Sequence, residues 1–121
     1  MADRITANHP QAWRSAERQS ITRVAEKLVS AAGVVGMDTG FSHLSGALET
    51  PTVALYGPTS PTKVGLIGEH TVNMTLDPPL PCMPCHKRQC RLLPHNSIET
   101  PPCLKEIDPA QVWQALQEKM P

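Results

Sequence analysis

Proline divides this chain. Four of its thirteen prolines (Pro10, Pro51, Pro58, Pro61) lie before residue 78, and the other nine follow. Proline removes a backbone donor and clashes with the preceding helical turn, so a dense run of it opposes long helices and paired strands. Regular structure is therefore expected in residues 1–77, an irregular insertion in 78–103 and a closing segment in 104–121. All four cysteines fall in the proline-rich part. The only aromatic residues are Trp13, Phe41, Tyr56 and Trp113, so small aliphatic side chains must fill a thin core.

Within the first part the apolar pattern alternates between two periods. Ile21, Val24, Ala25, Leu28 and Val29 recur at helical spacing. Ser20 suits the N-cap of that helix and Gly33 its stop; residues 11–19 either extend it or form a separate turn. A short strand is expected over 33–37, ending in the turn-like Asp38-Thr39-Gly40. A helix over 41–48 should follow, broken at Thr50-Pro51. A second strand over 52–56 ends at Gly57-Pro58-Thr59-Ser60-Pro61, and a weaker third covers 71–76. Near the end, Asp108-Pro109 places a capping residue before proline at the first helical position, with Val112, Trp113 and Leu116 on the apolar face. Helix and strand in alternation predict a parallel α/β unit. Its two or three strands are fewer than the five or six of a doubly wound domain. The chain reads as a piece of one.

Composition excludes some partners. Eleven Lys and Arg balance eleven Asp and Glu, which argues against a broad nucleic-acid surface. No apolar run approaches the roughly eighteen residues of a membrane span, and residues 1–10 carry no secretory-type stretch. A cytoplasmic chain is expected, where four cysteines are not read first as two disulfides.

Ligands of open α/β sheets bind beyond the carboxyl ends of strands. Two loops leave such ends here: 38–43 and 57–61. Free N–H groups and the dipole at the start of the 41–48 helix suit a phosphate. Gly40 permits close backbone approach, and Thr39, Ser42, Thr59 and Ser60 add hydroxyls. The same residues also suit a purely structural role, with Asp38 or Thr39 capping the helix and Gly57-Pro58 forming a turn.

The run from Val35 to Thr59 carries Asp38-Thr39-Gly40, His43-Leu44, Ala47-Leu48 and Tyr56-Gly57-Pro58-Thr59. It resembles the ADP-heptose:lipopolysaccharide heptosyltransferases, whose D-[TS]-G-x-x-H-L-x-x-A-L segment precedes a short strand and Y/F-G-P-[TS]. Val64-Gly65-Leu66-Ile67-Gly68 is similar to members that add the first heptose, and the likeness extends over about residues 20–118. It implies that residues 1–121 are one partial C-terminal domain of a B-type glycosyltransferase, with a Rossmann-like core over 20–77. Asp38, Thr39, Gly40, Ser42, His43, Pro58 and Thr59 would then bind the nucleotide sugar, ADP-heptose, and the lipopolysaccharide core would be the acceptor. The family's general base lies in its N-terminal domain, so no residue of this chain inherits a catalytic role. The resemblance also implies a cytoplasmic protein working at the inner face of the inner membrane. For His43, donation to a diphosphate oxygen and a bond to a neighbouring carbonyl or Glu49 stand as equal expectations.

The spacing Cys82-x2-Cys85-x4-Cys90-x12-Cys103 could furnish four thiolates to one structural zinc, with His86 and His95 as substitutes. Disulfides on oxidation and unlinked thiols are the alternatives. No cofactor is otherwise required. His86, Lys87, Arg88 and Arg91 suit either an anionic acceptor or a solvated loop face. Three functions follow: a heptosyltransferase-like donor half, a non-catalytic nucleotide-binding module, or a zinc-stabilised interaction module. The narrow sheet further predicts self-association through an open edge.

Overall fold

The computed structural model describes residues 7–12, 14, 15 and 17–121. Trp13, one of the four aromatic residues, lies outside them. Helix α1 (Ile21–Ser30) forms where the apolar stripe placed it, and Ser20 caps it by accepting from the Arg23 N–H at 3.2 Å. Residues 17–20 are not helical, so they do not extend it. Strands β1 (Val34–Met37), β2 (Thr52–Tyr56) and β3 (Thr71–Thr75) form one parallel sheet in that order. Val34 pairs with Thr52, and Thr52 with Thr71. Helix α2 (Gly40–Ala47) connects β1 to β2, and the one-turn α3 (Pro61–Val64) lies between β2 and β3. A second single turn, α4 (Pro102–Lys105), precedes the closing helix α5 (Pro109–Gln117). The α/β expectation holds: this is a partial Rossmann-like sheet.

Two local readings change. The first helix stops at Ala31, before Gly33. Gly33 answers a different need: a Cβ there would stand 2.9 Å from a Leu116 methyl carbon, so its bare backbone lets α5 close on the start of β1. The turn α3 was not expected, although Ser60-Pro61 is an N-cap followed by proline at the first helical position.

Strand β2 is the centre of the sheet and is covered on both faces. Val53 packs on one face with Ile107, Val112 and Leu116, and Leu55, Val72, Met74 and Leu104 join them. Three of the eight buried hydrophobic residues, Ile107, Val112 and Leu116, are therefore supplied by the closing segment. The other face holds Ala54, Tyr56 and Leu66, with Ser42 and Ser45 of α2 buried beside it. Register places Val35 and Met37 on the Val53 face, where they stay half-exposed. Among the described residues no strand pairs with the outer edge of β1.

The α2 face also contains a directed hydrogen-bond relay. Thr52 Oγ1 donates to the Thr50 carbonyl at 2.7 Å, and Ser45 Oγ lies 2.6 Å from Thr52 Oγ1. A hydroxyl has one hydrogen, so Ser45 is the donor in the second bond. Ser45→Ala removes one ordinary hydrogen bond, worth about 0.5–1.5 kcal/mol. Thr52→Val keeps the shape but strands a buried hydroxyl, at about 1–3 kcal/mol for each unsatisfied group. Urea unfolding should therefore show Thr52→Val as the more destabilising of the two; the reverse order would contradict the relay.

Candidate functional site

The parallel register brings both expected loops to the carboxyl edge of the sheet. Met37 pairs with Leu55, so the chain leaves β1 into 38–43 and leaves β2 into 57–61 side by side. Thr39 is the N-cap of α2, with extended backbone and no side-chain cap bond. Its carbonyl accepts from the N–H groups of Ser42 and His43 at 3.1 and 3.2 Å. The N–H groups of Gly40 and Phe41 have no acceptor among the described residues. Two donors thus stand free at the positive end of a helix. A Cβ on Gly40 would meet nothing within 4 Å, so the approach to them is open.

The side chains divide into those aimed at this opening and those that build it. Ser42 builds it. Its side chain is buried at 2 % exposure, and its hydroxyl donates to the Met37 carbonyl at 2.6 Å, tying α2 to the end of β1. The expectation that Ser42 adds a donor hydroxyl is therefore corrected, because that hydrogen is already used inside the fold. His43, one turn into α2, faces Asp38 with Nε2 3.4 Å from Oδ1. Asp38 is its partner, not Glu49, and Asp38 does not cap the helix. Both side chains are partly exposed, so the pair adds little stability and leaves its outer atoms to a ligand. Beneath this loop, burial pushes the Tyr56 phenol up from its ordinary value, and the nearby Asp38 carboxylate pushes it the same way. The Tyr56 hydroxyl donates to the Val64 carbonyl at 3.2 Å.

The second loop borders a cleft. Gly57, Thr59, Ser60 and Pro61 line it together with Thr75, Pro79, Met83 and Pro84, around about 260 Å³. Thr59 is half-buried there. Pro58 lies at the junction with the proline-rich segment, where its carbonyl accepts from the His86 N–H at 2.7 Å. That bond carries the His86-Lys87-Arg88 run to the rim of the loop. Thr75, Pro79, Met83 and Pro84 were missed from sequence; the one available signal was the position of 76–79 just beyond a strand's carboxyl end.

The four cysteines, spread over 22 residues of sequence, line one small cavity of about 70 Å³ together with Pro58, Lys87 and Arg88. None is in a disulfide. Cys103 is buried, and burial pushes its thiol up, with charge on Cys90, Cys85 and Cys82 pushing the same way. As placed, no three His, Cys, Asp or Glu among the described residues form a group that could hold a metal ion. No helix among the described residues is long and apolar enough to cross a membrane.

Comparison with known proteins bears on the same residues. The family model for glycosyltransferase family 9 (heptosyltransferase) matches residues 2–95. Lipopolysaccharide heptosyltransferase 1 of Pseudomonas aeruginosa is 34 % identical over 108 residues, which are 83 % of this chain and 30 % of that protein. Lipopolysaccharide heptosyltransferase 1 of Salmonella typhimurium is 50 % identical over 56 residues, 46 % of this chain and 17 % of that protein. Lipooligosaccharide heptosyltransferase 2 of Campylobacter jejuni is 36 % identical over 76 residues, 62 % of this chain and 21 % of that protein. The chain thus spans less than a third of the length of these relatives. No solved structure matches it significantly.

Proposed function

The chain belongs to glycosyltransferase family 9, the heptosyltransferases, and from that premise we propose that it is the donor-binding part of a heptosyltransferase. Its 38–43 loop receives the diphosphate of ADP-heptose for transfer to the lipopolysaccharide inner core. The observation that carries this reading is the pair of unpartnered N–H groups, Gly40 and Phe41, at the head of α2 and the carboxyl end of β1. Such donors bind a phosphate without a charged side chain, because the helix end supplies both geometry and field. Asp38 and His43 flank them, and Thr59 faces the adjoining cleft. The acceptor places the work at the cytoplasmic face of the inner membrane, and the open edge of β1 supports pairing between copies of the chain. A second reading, nucleotide binding without catalysis, is favoured by one observation: the two titratable groups of the 38–43 loop are engaged with each other.

The loop can be tested without disturbing the fold. Gly40 is the first residue of α2, where proline is favoured, and Thr39 before it already has the extended backbone that a following proline requires. Gly40→Pro therefore removes one N–H and little else. By calorimetry ADP should bind more tightly than adenosine. Gly40→Pro should weaken ADP about tenfold or more, since a hydrogen bond to a charged group is worth about 1.5–3 kcal/mol, and leave adenosine unchanged. Equal affinity for ADP and adenosine would remove the loop from the reading.

A further inference from the structure

The chain is neutral overall, yet its charge is unevenly placed. Between Pro78 and Ile98 stand Lys87, Arg88 and Arg91 and no Asp or Glu. All three are exposed, and among the described residues none of their side chains has an ion-pair or hydrogen-bond partner. The His86 N–H bond to the Pro58 carbonyl holds this run at the carboxyl edge of the sheet, beside the 57–61 loop. Asp38, at the same edge, is matched with His43, and Asp77 stands before the segment begins. The amino edge of the sheet is acidic. Glu49, Glu69 and Glu118 gather there with His70 and Lys119, whose ammonium is already engaged with the Glu69 carbonyl at 2.9 Å.

The basic segment also exposes apolar side chains. Ile98 is 102 % exposed and Leu92 55 %. Lys87, Arg88 and Leu92 line one small cavity, and Arg88 lines a second with Ser97 and Glu99, so the 87–92 and 97–99 stretches adjoin through Arg88. Glu99 forms no ion pair with Arg88.

We propose that residues 86–98 form a docking surface for an anionic lipid bilayer, with Lys87, Arg88 and Arg91 at the headgroup phosphates and Leu92 and Ile98 entering the acyl boundary. A soluble polyanion would answer the cations and leave Ile98 and Leu92 in water; an anionic bilayer answers both. A negative leaflet attracts nearby Lys and Arg, and apolar side chains sunk into the interface add a hold that salt does not screen. Residues 78–101 form no helix or strand, so the surface is a loop whose side chains reach into the interface while its backbone stays among hydrated headgroups, where its polar groups remain satisfied. The same leaflet repels the pole of Glu49, Glu69 and Glu118, so the field turns the molecule as well as attracting it. The two loops of the carboxyl edge then face the bilayer, where the lipid-borne acceptor of the proposed reaction lies.

The measurement is co-sedimentation of the 121-residue chain with vesicles of phosphatidylcholine alone and of phosphatidylcholine mixed equally with phosphatidylglycerol. Binding is expected to the mixed vesicles only, and should weaken as salt is raised, because screening shortens the reach of the charges. Lys87→Gln, Arg88→Gln and Arg91→Gln should each weaken it about fivefold, the share of one basic residue near an anionic leaflet. Ile98→Ser should weaken it about as much or more, since it removes an inserted apolar side chain. Lys119→Gln, which takes a cation from the opposite edge, should leave it unchanged. Amide exchange over 86–98 should slow on the mixed vesicles and stay the same at Glu69 and His70. Four results would each overturn the proposal: no binding to mixed vesicles at low salt, equal binding to both kinds, binding indifferent to Ile98→Ser, or a loss in Lys119→Gln as large as that in Arg88→Gln. The wild-type comparisons do not depend on any variant folding, and none involves a nucleotide, so this test and that of the donor site fail separately.

Discussion

The 121 residues on their own should transfer no heptose from ADP-heptose, even where they bind the nucleotide. Transfer to an acceptor hydroxyl needs a base within hydrogen-bond reach of it, and a positioned base contributes about 10²–10⁴-fold. Asp38 and His43 are the titratable residues of the 38–43 loop. Asp38 stands beside the helix end proposed to receive the diphosphate and faces His43, so it suits orientation better than proton abstraction. Alignment of the two sugars is the larger loss. Holding reactants in attack geometry is worth roughly 7–11 kcal/mol, and these residues correspond to only 30 % of a relative that bears the heptosyltransferase name. A coupled assay with ADP-heptose and a deacylated core acceptor checks this. Turnover by the isolated 121 residues that disappears in Asp38→Asn would place the base in this chain and reverse the conclusion.

Gly36→Ala should be strongly destabilising although it adds a single methyl. A Cβ at Gly36 would collide with Ser42 Oγ. That oxygen cannot move freely, because the side chain is buried and donates to the Met37 carbonyl. Forced overpacking costs about 1–3 kcal/mol, and a displaced buried hydroxyl a further 1–3, on the order of its desolvation. Restricting the unfolded chain returns only about 0.4–1 kcal/mol. A net loss of about 2–4 kcal/mol in urea unfolding is expected. Because the collision tilts the head of α2, ADP binding should weaken with it. Gly36→Ala combined with Ser42→Ala should recover part of the stability, since it removes the colliding oxygen while the Ser42 Cβ position is a tolerable 3.4 Å away. A Gly36→Ala loss below about 0.5 kcal/mol, the size of an ordinary surface change, would mean the two residues do not meet as described.

Gly36 also shows where sequence reasoning stops. As a letter inside Val34-Val35-Gly36-Met37 it is a weak point in a strand; only the register with β2 and the position of α2 reveal it as a contact surface. Ser42 is similar. Its place in the Asp38–His43 run made it a candidate ligand, and the helical phase that turns it toward Met37 depends on where α2 starts, one residue earlier than the apolar pattern indicated. His43 was left between a ligand role and a structural bond, because its partner sits five residues back across a turn whose angle no spacing rule supplies.

What the sequence by itself determined are the features made within a turn or two of chain. The stripe from Ile21 to Val29, the Ser20 and Asp108 caps and the break at Thr50-Pro51 all came from interactions between near neighbours. The three strands and the phosphate-suited loop after the first were legible for the same reason. Tertiary structure alone decided what lies between distant segments. It set Leu116 against Gly33, packed Val112 and Leu116 of the closing helix onto Val53, tied His86 to Pro58, and gathered Cys82, Cys85, Cys90 and Cys103 around one cavity. The physical reason is the range of the forces. Backbone torsions and caps act locally and leave their mark in residue order, whereas packing acts between surfaces that meet only after the chain has closed.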